Sequence, residues 1–313
     1  SSNGLNRFDG YSYRIYKPVY NKQNTFNSLN LNAITSDQEG NLWIGTDHSG
    51  INVFNKRTGE VRIIDRSDTT GMAILDNNIN HLMCDSRGRI WICSFGGLNL
   101  YLPEQDEMVT FTGTSPNGNP YPFGTISYAY EDTRGRILIG TWGNGFYLYN
   151  EEANDFIQFL MDPHSSNGDT INRVVEILED RDGFYWMGTW EGGLYKVHLH
   201  DYTGVEILQH YSMYAPGPEK LTTDIIYCLY EDRNGAIWAG TPYGLNIISD
   251  HRSGNPEVAV IQTGDEPWNI SHNDLFHIFE DRSGIIWLAT GGGGLNKINL
   301  SLSALGNVIG ALV

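Results

Sequence analysis

One motif recurs six times along this chain, and its spacing constrains the fold more than any other feature. Aligned on a turn glycine, the copies place Gly40, Gly88, Gly135, Gly183, Gly235 and Gly284 in register, with separations of 48, 47, 48, 52 and 49 residues. Self-similarity at such a period signals a solenoid, a propeller or an array. The fourth copy, Glu179 to Leu194, shows the motif in full: Glu-Asp-Arg-Asp-Gly-Phe-Tyr-Trp-Met-Gly-Thr-Trp-Glu-Gly-Gly-Leu.

Every unit parses alike. An apolar strand A comes first: Leu31 to Thr35, Ile79 to Met83, Ile126 to Tyr130, Val174 to Leu178, Ile226 to Tyr230 and Leu275 to Phe279. An acidic turn follows, in which Asp37, Asp85, Asp132, Asp180, Asp232 and Asp281 share one position, where a short carboxylate can cap backbone N–H groups. Strand B carries Trp43, Trp91, Trp186, Trp238 and Trp287, with Leu138 in the third unit. A glycine-rich loop leads into strand C, seen as Gly193-Leu194-Tyr195-Lys196 or Gly244-Leu245-Asn246-Ile247, and a more variable strand D ends the unit.

Four antiparallel strands in a unit of this length describe a propeller blade. Parallel β-helix coils and leucine-rich repeats are shorter, and helical repeats would show a 3.6-residue period that is absent. Composition agrees: 36 Gly, 18 Tyr and 8 Trp with only 18% charged residues suit many short strands joined by glycine turns.

The expected fold is therefore all-β, a β-propeller of four-stranded antiparallel blades. A partial blade spans 1–27, where Gly4 to Phe8 matches strand C and Tyr11 to Tyr16 reads as strand D. Units follow at about 28–74, 75–121, 122–169, 170–220, 221–269 and 270–299, then a closing tail at 300–313 whose Leu305 to Val313 resembles another strand A. One propeller domain over 1–313 is expected, seven-bladed with an incomplete terminal blade; six blades is the alternative. Closure by strands from both termini would remove exposed edges.

A net charge of −17 with scattered Lys and Arg argues against nucleic acid, which needs a basic patch to release counterions. No run approaches the roughly 18 apolar residues needed to span a bilayer, so direct membrane insertion is not expected. Cys84, Cys93 and Cys228 lack Cys-x-x-Cys spacing, which argues against structural zinc. Cys84 and Cys93 fall on neighbouring strands, so a disulfide is conceivable beside the plainer reading of two small buried thiols. The opening Ser1-Ser2-Asn3-Gly4 has neither an initiator Met nor a signal segment, as in a processed or excised piece.

Strand direction sorts the loops. The D–A and B–C loops share one face, and the A–B turns and C–D loops share the other. Successive B–C loops carry aromatics at nearly one step: Phe95, Trp142, Trp190 and Tyr243. His48, Asn144 and Glu191 stand beside that step, and the D–A loops add Tyr121, Phe123, Tyr211, Tyr214 and Trp268. Flat rings next to carboxylates and amides suit a sugar, which offers a C–H face and a hydroxyl edge. Equally, Trp142 and Trp190 would bury large area by packing between blades. Strand A should lie innermost, so His81, Tyr128, Glu176 and His277 at one register, and Asn30, Asn78, Thr125, Arg173 and Asp274 near its start, are expected to line a hydrated wall or the floor of a ligand site.

No Gly-x-Ser-x-Gly elbow, His-Glu-x-x-His or phosphate loop occurs, so no catalytic residue is assigned. His198-Leu199-His200 puts two imidazoles on one strand face with no third ligand nearby in the sequence, and no metal or cofactor is expected. Asp180-Arg181-Asp182-Gly183 looks faintly like a calcium loop but lacks the later bidentate Glu, so turn capping explains it better. His81, Glu176 and His277 would serve as acid–base groups only if they converge.

The segments 37–46 (Asp-Gln-Glu-Gly-Asn-Leu-Trp-Ile-Gly-Thr), 231–241 and 293–296 resemble the two-component regulator propeller repeat. The opening Gly4 to Tyr13 looks like the first blade of the sensor region in hybrid two-component systems of gut Bacteroidetes, and the resemblance covers residues 4–299. It implies an extracytoplasmic sensor of two seven-bladed propellers, an immunoglobulin-like domain, a transmembrane helix and a histidine kinase, responding to oligosaccharides released from glycans. This chain holds about one propeller and no membrane or kinase segment.

The expected function is then a noncatalytic, periplasmic propeller of such a receptor. Its expected partners are an oligosaccharide, the rest of the sensor kinase and a second copy in a homodimer. The expected ligand-binding residues are Phe95, Trp142, Asn144, Trp190, Glu191, Tyr243, His48, Arg173, His81 and His277. The alternatives are a scaffold propeller without its own ligand and a lyase-like enzyme, since streptogramin lyases resemble this repeat distantly.

Overall fold

Each repeat unit folds into its own antiparallel sheet in the computed structural model, which describes residues 2–22, 24–122, 124–161, 168–266 and 268–298. A ribbon of β1 (Leu5–Phe8) and β2 (Tyr13–Tyr16) comes first. Blade 1 consists of β3 (Leu31–Ser36), β4 (Leu42–Thr46), β5 (Ile51–Phe54) and β6 (Val61–Ile64). Blade 2 has β7 (Ile79–Cys84), β8 (Ile90–Ser94), β9 (Gly97–Leu102) and β10 (Glu107–Phe111). Blade 3 has β11 (Ile126–Glu131), β12 (Ile137–Thr141), β13 (Phe146–Asn150) and β14 (Asp155–Phe159).

Blade 4 comprises β15 (Val174–Glu179), β16 (Tyr185–Thr189), β17 (Leu194–His200) and β18 (Gly204–Tyr211). Blade 5 comprises β19 (Cys228–Glu231), β20 (Ile237–Thr241), β21 (Gly244–Ser249) and β22 (Glu257–Ile261). Blade 6 shows β23 (Leu275–Glu280), β24 (Ile286–Thr290) and β25 (Gly294–Ile298) among the described residues. The all-β blade architecture expected from the repeat is thus present. Six blade sheets form, the number of the six-blade alternative, and the β1–β2 ribbon is the incomplete blade ahead of them. The tail at 300–313 lies outside the described residues. No described helix is long and apolar enough to cross a membrane.

The acidic turn explains why each unit folds this way. In blade 4 the Gly183 N–H donates to Asp180 O, and the Asp180 N–H donates to Phe184 O, each at 2.8 Å. Asp180 Oδ1 accepts the N–H groups of Asp182 and Phe184 at 3.0 Å each, and Oδ2 accepts the indole N–H of Trp186 at 2.9 Å. The same indole-to-carboxylate bond recurs from Trp43 to Asp37, Trp91 to Asp85, Trp238 to Asp232 and Trp287 to Asp281. Leu138 has no N–H to give, and there the Nε of Arg136 reaches Asp132 Oδ2 at 2.7 Å instead.

The tryptophan then packs on the next blade. Trp43 lies 4.8 Å from Tyr101, Trp91 is edge-on to Tyr149 at 5.3 Å, and Trp186 meets His251 at 5.0 Å. Each apolar cluster accordingly sits between consecutive sheets, as with Trp238, Leu245, Leu275 and Leu288 of blades 5 and 6. Strand B must lie close to the following strand A for this. A Cβ on Gly188 would come within 2.8 Å of Ile226 Cγ2, which is why the motif carries glycine there. By density of contacts the chain falls into two units, Ser1–Trp142 with Phe146–Gln158, and Gly143–Gly145 with Phe159–Val313.

The cysteines are free thiols. In the β7–β8 register Cys84 faces Ile90 and Cys93 faces His81, so the two do not oppose one another. Burial, with the neighbouring Asp85 adding to it, pushes the Cys84 thiol up to about 11.

Two outcomes follow for stability. Asp180 is 2% exposed, and Asp180→Ala strands its buried donors, so a loss on the order of 3 kcal/mol is expected in urea unfolding; an unchanged midpoint would contradict the role given to the turn. In blade 5 the buried His251 hydrogen-bonds to Gly235 O through Nε2 at 2.8 Å, and its Nδ1 lies 3.1 Å from the Lys196 ammonium. That arrangement requires the neutral ring, and burial holds its pKa below the ordinary 6.5. The unfolded chain therefore takes up this proton at higher pH than the folded one. Stability from this site is present above 6.5 and lost as pH falls through the folded value. His251→Gln should flatten that part of the urea-midpoint profile; an identical slope in both proteins would exclude His251 as its source.

Candidate functional site

In the second unit, the loop face gathers aromatic rings from three consecutive blades. The Trp190 N–H donates to Arg173 O at 2.9 Å, and its ring lies 5.7 Å from Tyr227, which stacks on Phe276 at 5.1 Å with planes 20° apart. Phe276 is half exposed and Tyr243, on the next B–C loop, is 58% exposed. Burial, then the nearby Asp274 and Tyr243, push the Tyr227 phenol above its usual range. Charged groups border the rings. Arg173 Nη1 pairs with Glu191 Oε2 at 3.1 Å, and Asp274 lies against the glycine loop of blade 6. A Cβ on Gly291 would meet Asp274 Oδ2 at 2.3 Å and Phe276 Cε2 at 3.1 Å, so a side chain there would displace both. The N–H groups of Gly143 and Gly145 both donate to Asn172 O, which holds Asn144 beside the start of blade 4.

Of the expected residues, this unit brings Trp190, Glu191, Arg173, Asn144 and Tyr243 to its loop face. Trp190 also serves the plainer reading, since it packs on the next blade through Tyr227. In the first unit, Phe95 and Trp142 are exposed at their loops, and His48 pairs with the adjacent Asp47, at 3.2 Å. His81 stacks on Tyr128 at 4.0 Å, and its Nδ1 accepts the Ala129 N–H at 3.3 Å. Glu176 is buried and His277 exposed, both in the second unit.

Three expectations need correction. Tyr211, expected on the loop face, is fully buried against Trp186, while Tyr121 packs on Phe111 and Phe156. Trp268 packs on the core between blades 5 and 6. D–A aromatics mostly seal blade ends because a long loop needs its own apolar anchor; Tyr214, 82% exposed, is the exception, and Phe123 lies outside the described residues. Tyr227 and Phe276 were not among the expected site residues. Strand A carries a bulge at this position, marked by register shifts between Leu275 and His277, Val174 and Glu176, and Ile79 and His81. The bulge breaks the alternation from which the facing residues were deduced. An aromatic at that one repeat position in two consecutive units was the signal available. Finally, a third potential ligand does stand near His198 and His200: Glu206, directly opposite His198 on β18.

Glu191 is the strained member of the site. Its φ is 74°, a left-handed conformation unfavourable for a long side chain, whereas the matching position in the preceding loop is Gly143 with φ 120°. Such outliers gather at functional sites.

A groove of about 460 Å³ lies between the loop that joins blades 4 and 5 and the outer strand β22. It is lined by Met213, Pro218, Leu221, Val258 and Val260, with Lys220 its charged side chain, and contains none of the candidate residues.

Four-stranded antiparallel blades, with Trp43, Trp91, Trp186 and Trp238 each packed on the blade that follows its own, define a β-propeller. The sequence profile of the two component regulator propeller matches residues 25–48, 73–96, 168–191 and 220–243, that is, the first, second, fourth and fifth repeat units. A histidine kinase P4 of Formosa agariphila is 25% identical over 133 residues, 42% of this chain and 9% of the kinase. An extracellular domain assigned to a hybrid two component system of B. thetaiotaomicron superposes with a TM-score of 0.60 at 21% identity, over 89% of this chain and 40% of that one. A virginiamycin B lyase of Staphylococcus aureus reaches 0.59 at 12% identity, covering 92% and 88%, a likeness of fold alone. The chain thus spans well under half of the receptor proteins it matches.

Glu191→Gly removes both the left-handed strain and an exposed ion pair. Stability should be unchanged or raised by up to about 1 kcal/mol in thermal unfolding; a clear loss would mean that Glu191 is kept for the fold.

Proposed function

We propose that this chain is the extracytoplasmic, ligand-sensing propeller of a two-component receptor, and that the loop face of blades 4 to 6 binds a glycan-derived oligosaccharide. The observation that carries the reading is the run Trp190–Tyr227–Phe276 with Arg173, Glu191 and Asp274 along its edge. Sugar C–H faces stack on rings, and hydroxyls donate hydrogen bonds to carboxylates and accept them from guanidinium groups. The strain at Glu191 supports a role beyond folding. Similarity to a histidine kinase and to a receptor extracellular domain supports the sensor part, with signal passed to kinase segments outside this chain. The remaining expected residues, Phe95, Trp142, Asn144, Tyr243, His48, His81 and His277, belong to the proposal as further candidates on a single propeller domain. The reading is noncatalytic.

Titration calorimetry against a panel of neutral and acidic oligosaccharides tests it. Binding of one of them, weakened tenfold or more by Trp190→Ala and by Phe276→Ala, is expected; tenfold corresponds to about 1.4 kcal/mol. Glu191→Gly should weaken binding while sparing stability. Undiminished affinity in all three variants would remove the site from this face. No heat with any oligosaccharide, while a longer receptor binds one, would favour a scaffold role.

A further inference from the structure

The hairpin of β17 and β18 carries a second constellation, at the end of blade 4 remote from the loop face. β17 leaves that face at Gly193 and runs through His200, seven residues later, about 20 Å at the usual rise per residue. His198 and His200, two apart, lie on one face of β17, and Glu206 sits directly across from His198 in the register. One donor atom from each of the three lies within 4.8 Å of the others, and His200 Nε2 is already 3.3 Å from Glu206 Oε2. The two imidazole rings stand 4.4 Å apart at 64°.

We propose that His198, His200 and Glu206 form an open binding site for one divalent transition-metal ion of the zinc class. Bonds of 2.0–2.1 Å in a tetrahedron place donors about 3.3 Å apart, so the His200–Glu206 spacing already fits. Bringing in His198 requires only side-chain rotation on a fixed backbone. The backbone is fixed because the tight turn between the strands is closed by the Thr203 N–H and Oγ1, which donate to His200 O at 2.9 and 2.6 Å. The ring of Phe184, 5.8 Å from His198 and edge-on, flanks one side. Lys196, the preceding residue on the same face, is engaged with Asp180 and His251 at 4.0 and 3.1 Å and lies over the Phe184 ring, 4.7 Å from its centre.

Two imidazole nitrogens and one carboxylate select zinc, nickel or copper over calcium and magnesium, which need oxygen ligands throughout. Three protein donors leave a fourth position for water or for a group from another molecule. The exposure of His200 and Glu206 leaves that position accessible. This site is separate from the loop face and does not depend on the sugar-binding proposal.

The test is zinc titration of the chelator-treated chain against a chromophoric competitor, with metal content measured after gel filtration. One equivalent of Zn²⁺ is expected. Glu206→Gln should weaken binding at least tenfold, and His198→Ala with His200→Ala should abolish it. Circular dichroism should be unchanged in each variant, since all three positions lie at a solvent-facing hairpin end. Co²⁺ should give visible d–d bands in the wild-type chain that are lost in the double variant. No zinc uptake by the wild-type chain, equal uptake by the double variant, or equal competition by Ca²⁺ would overturn the proposal.

Discussion

The structure depends on one buried contact, the hydrogen bond from a strand-B indole to the carboxylate that closes the preceding turn. A carboxylate out of water is costly unless its oxygens are filled. In blade 4, Oδ1 takes two backbone N–H groups and Oδ2 takes Trp186. The same side chain thus closes the turn and sets the angle at which the tryptophan leaves the sheet. That angle decides where the ring meets the next blade, so a local hydrogen bond controls the packing between sheets. In blade 3, where the Leu138 side chain offers no donor, Arg136 Nε donates to Asp132 Oδ2 as Arg89 Nε does to Asp85 beside Trp91 in blade 2.

A second tier of polar contacts ties adjacent turns. The Ser86 N–H donates to Glu131 at 2.6 Å, and the Arg181 N–H donates to Glu231 at 2.9 Å. In both cases the acceptor is the Glu that ends strand A of the following blade. Arg181 and Arg252 also pair with Glu231, at 2.7 and 3.0 Å, and Arg233 pairs with Glu280 at 2.5 Å. Exposed pairs contribute little one at a time. Here the carboxylates of Glu231 and Glu280 are largely shielded and hold backbone or several partners, which fixes the rotation of one blade against the next.

With the acidic-turn chemistry at the A–B end, the B–C loops keep interblade backbone bonds, such as Gly193 N–H to Asp224 O and Gly244 N–H to Asn273 O, while their side chains are free to vary. They can then carry Trp190 and Glu191 in one blade, Pro242 and Tyr243 in another, and three glycines in blade 6. The strain at Glu191 is tolerable for the same reason, since Trp190 and Gly193 on either side are anchored by backbone bonds to Arg173 and Asp224. Tyr227, just ahead of β19, and Phe276, at the bulge in β23, add the inner contribution through their ring contacts with Trp190 and with each other.

By itself the sequence determined the blade. A period near 48 residues, with Asp, Gly, Trp and Gly at set places, leaves few ways to satisfy turn, core and close approach together, and local spacing encodes all three. Six sheets and an incomplete ribbon were legible for that reason, as were the exposed Phe95, Trp142 and Tyr243. The tertiary structure decided what pairs across strands and blades. Alternation could not anticipate the bulge at Phe276 or the late start of β19 after Tyr227, so both were missed, and length could not tell an anchoring loop aromatic such as Tyr211 from an exposed one such as Tyr214. Only the register of β17 on β18 brought Glu206 beside His198 and His200, because a contact made through strand pairing has no signature in sequence spacing.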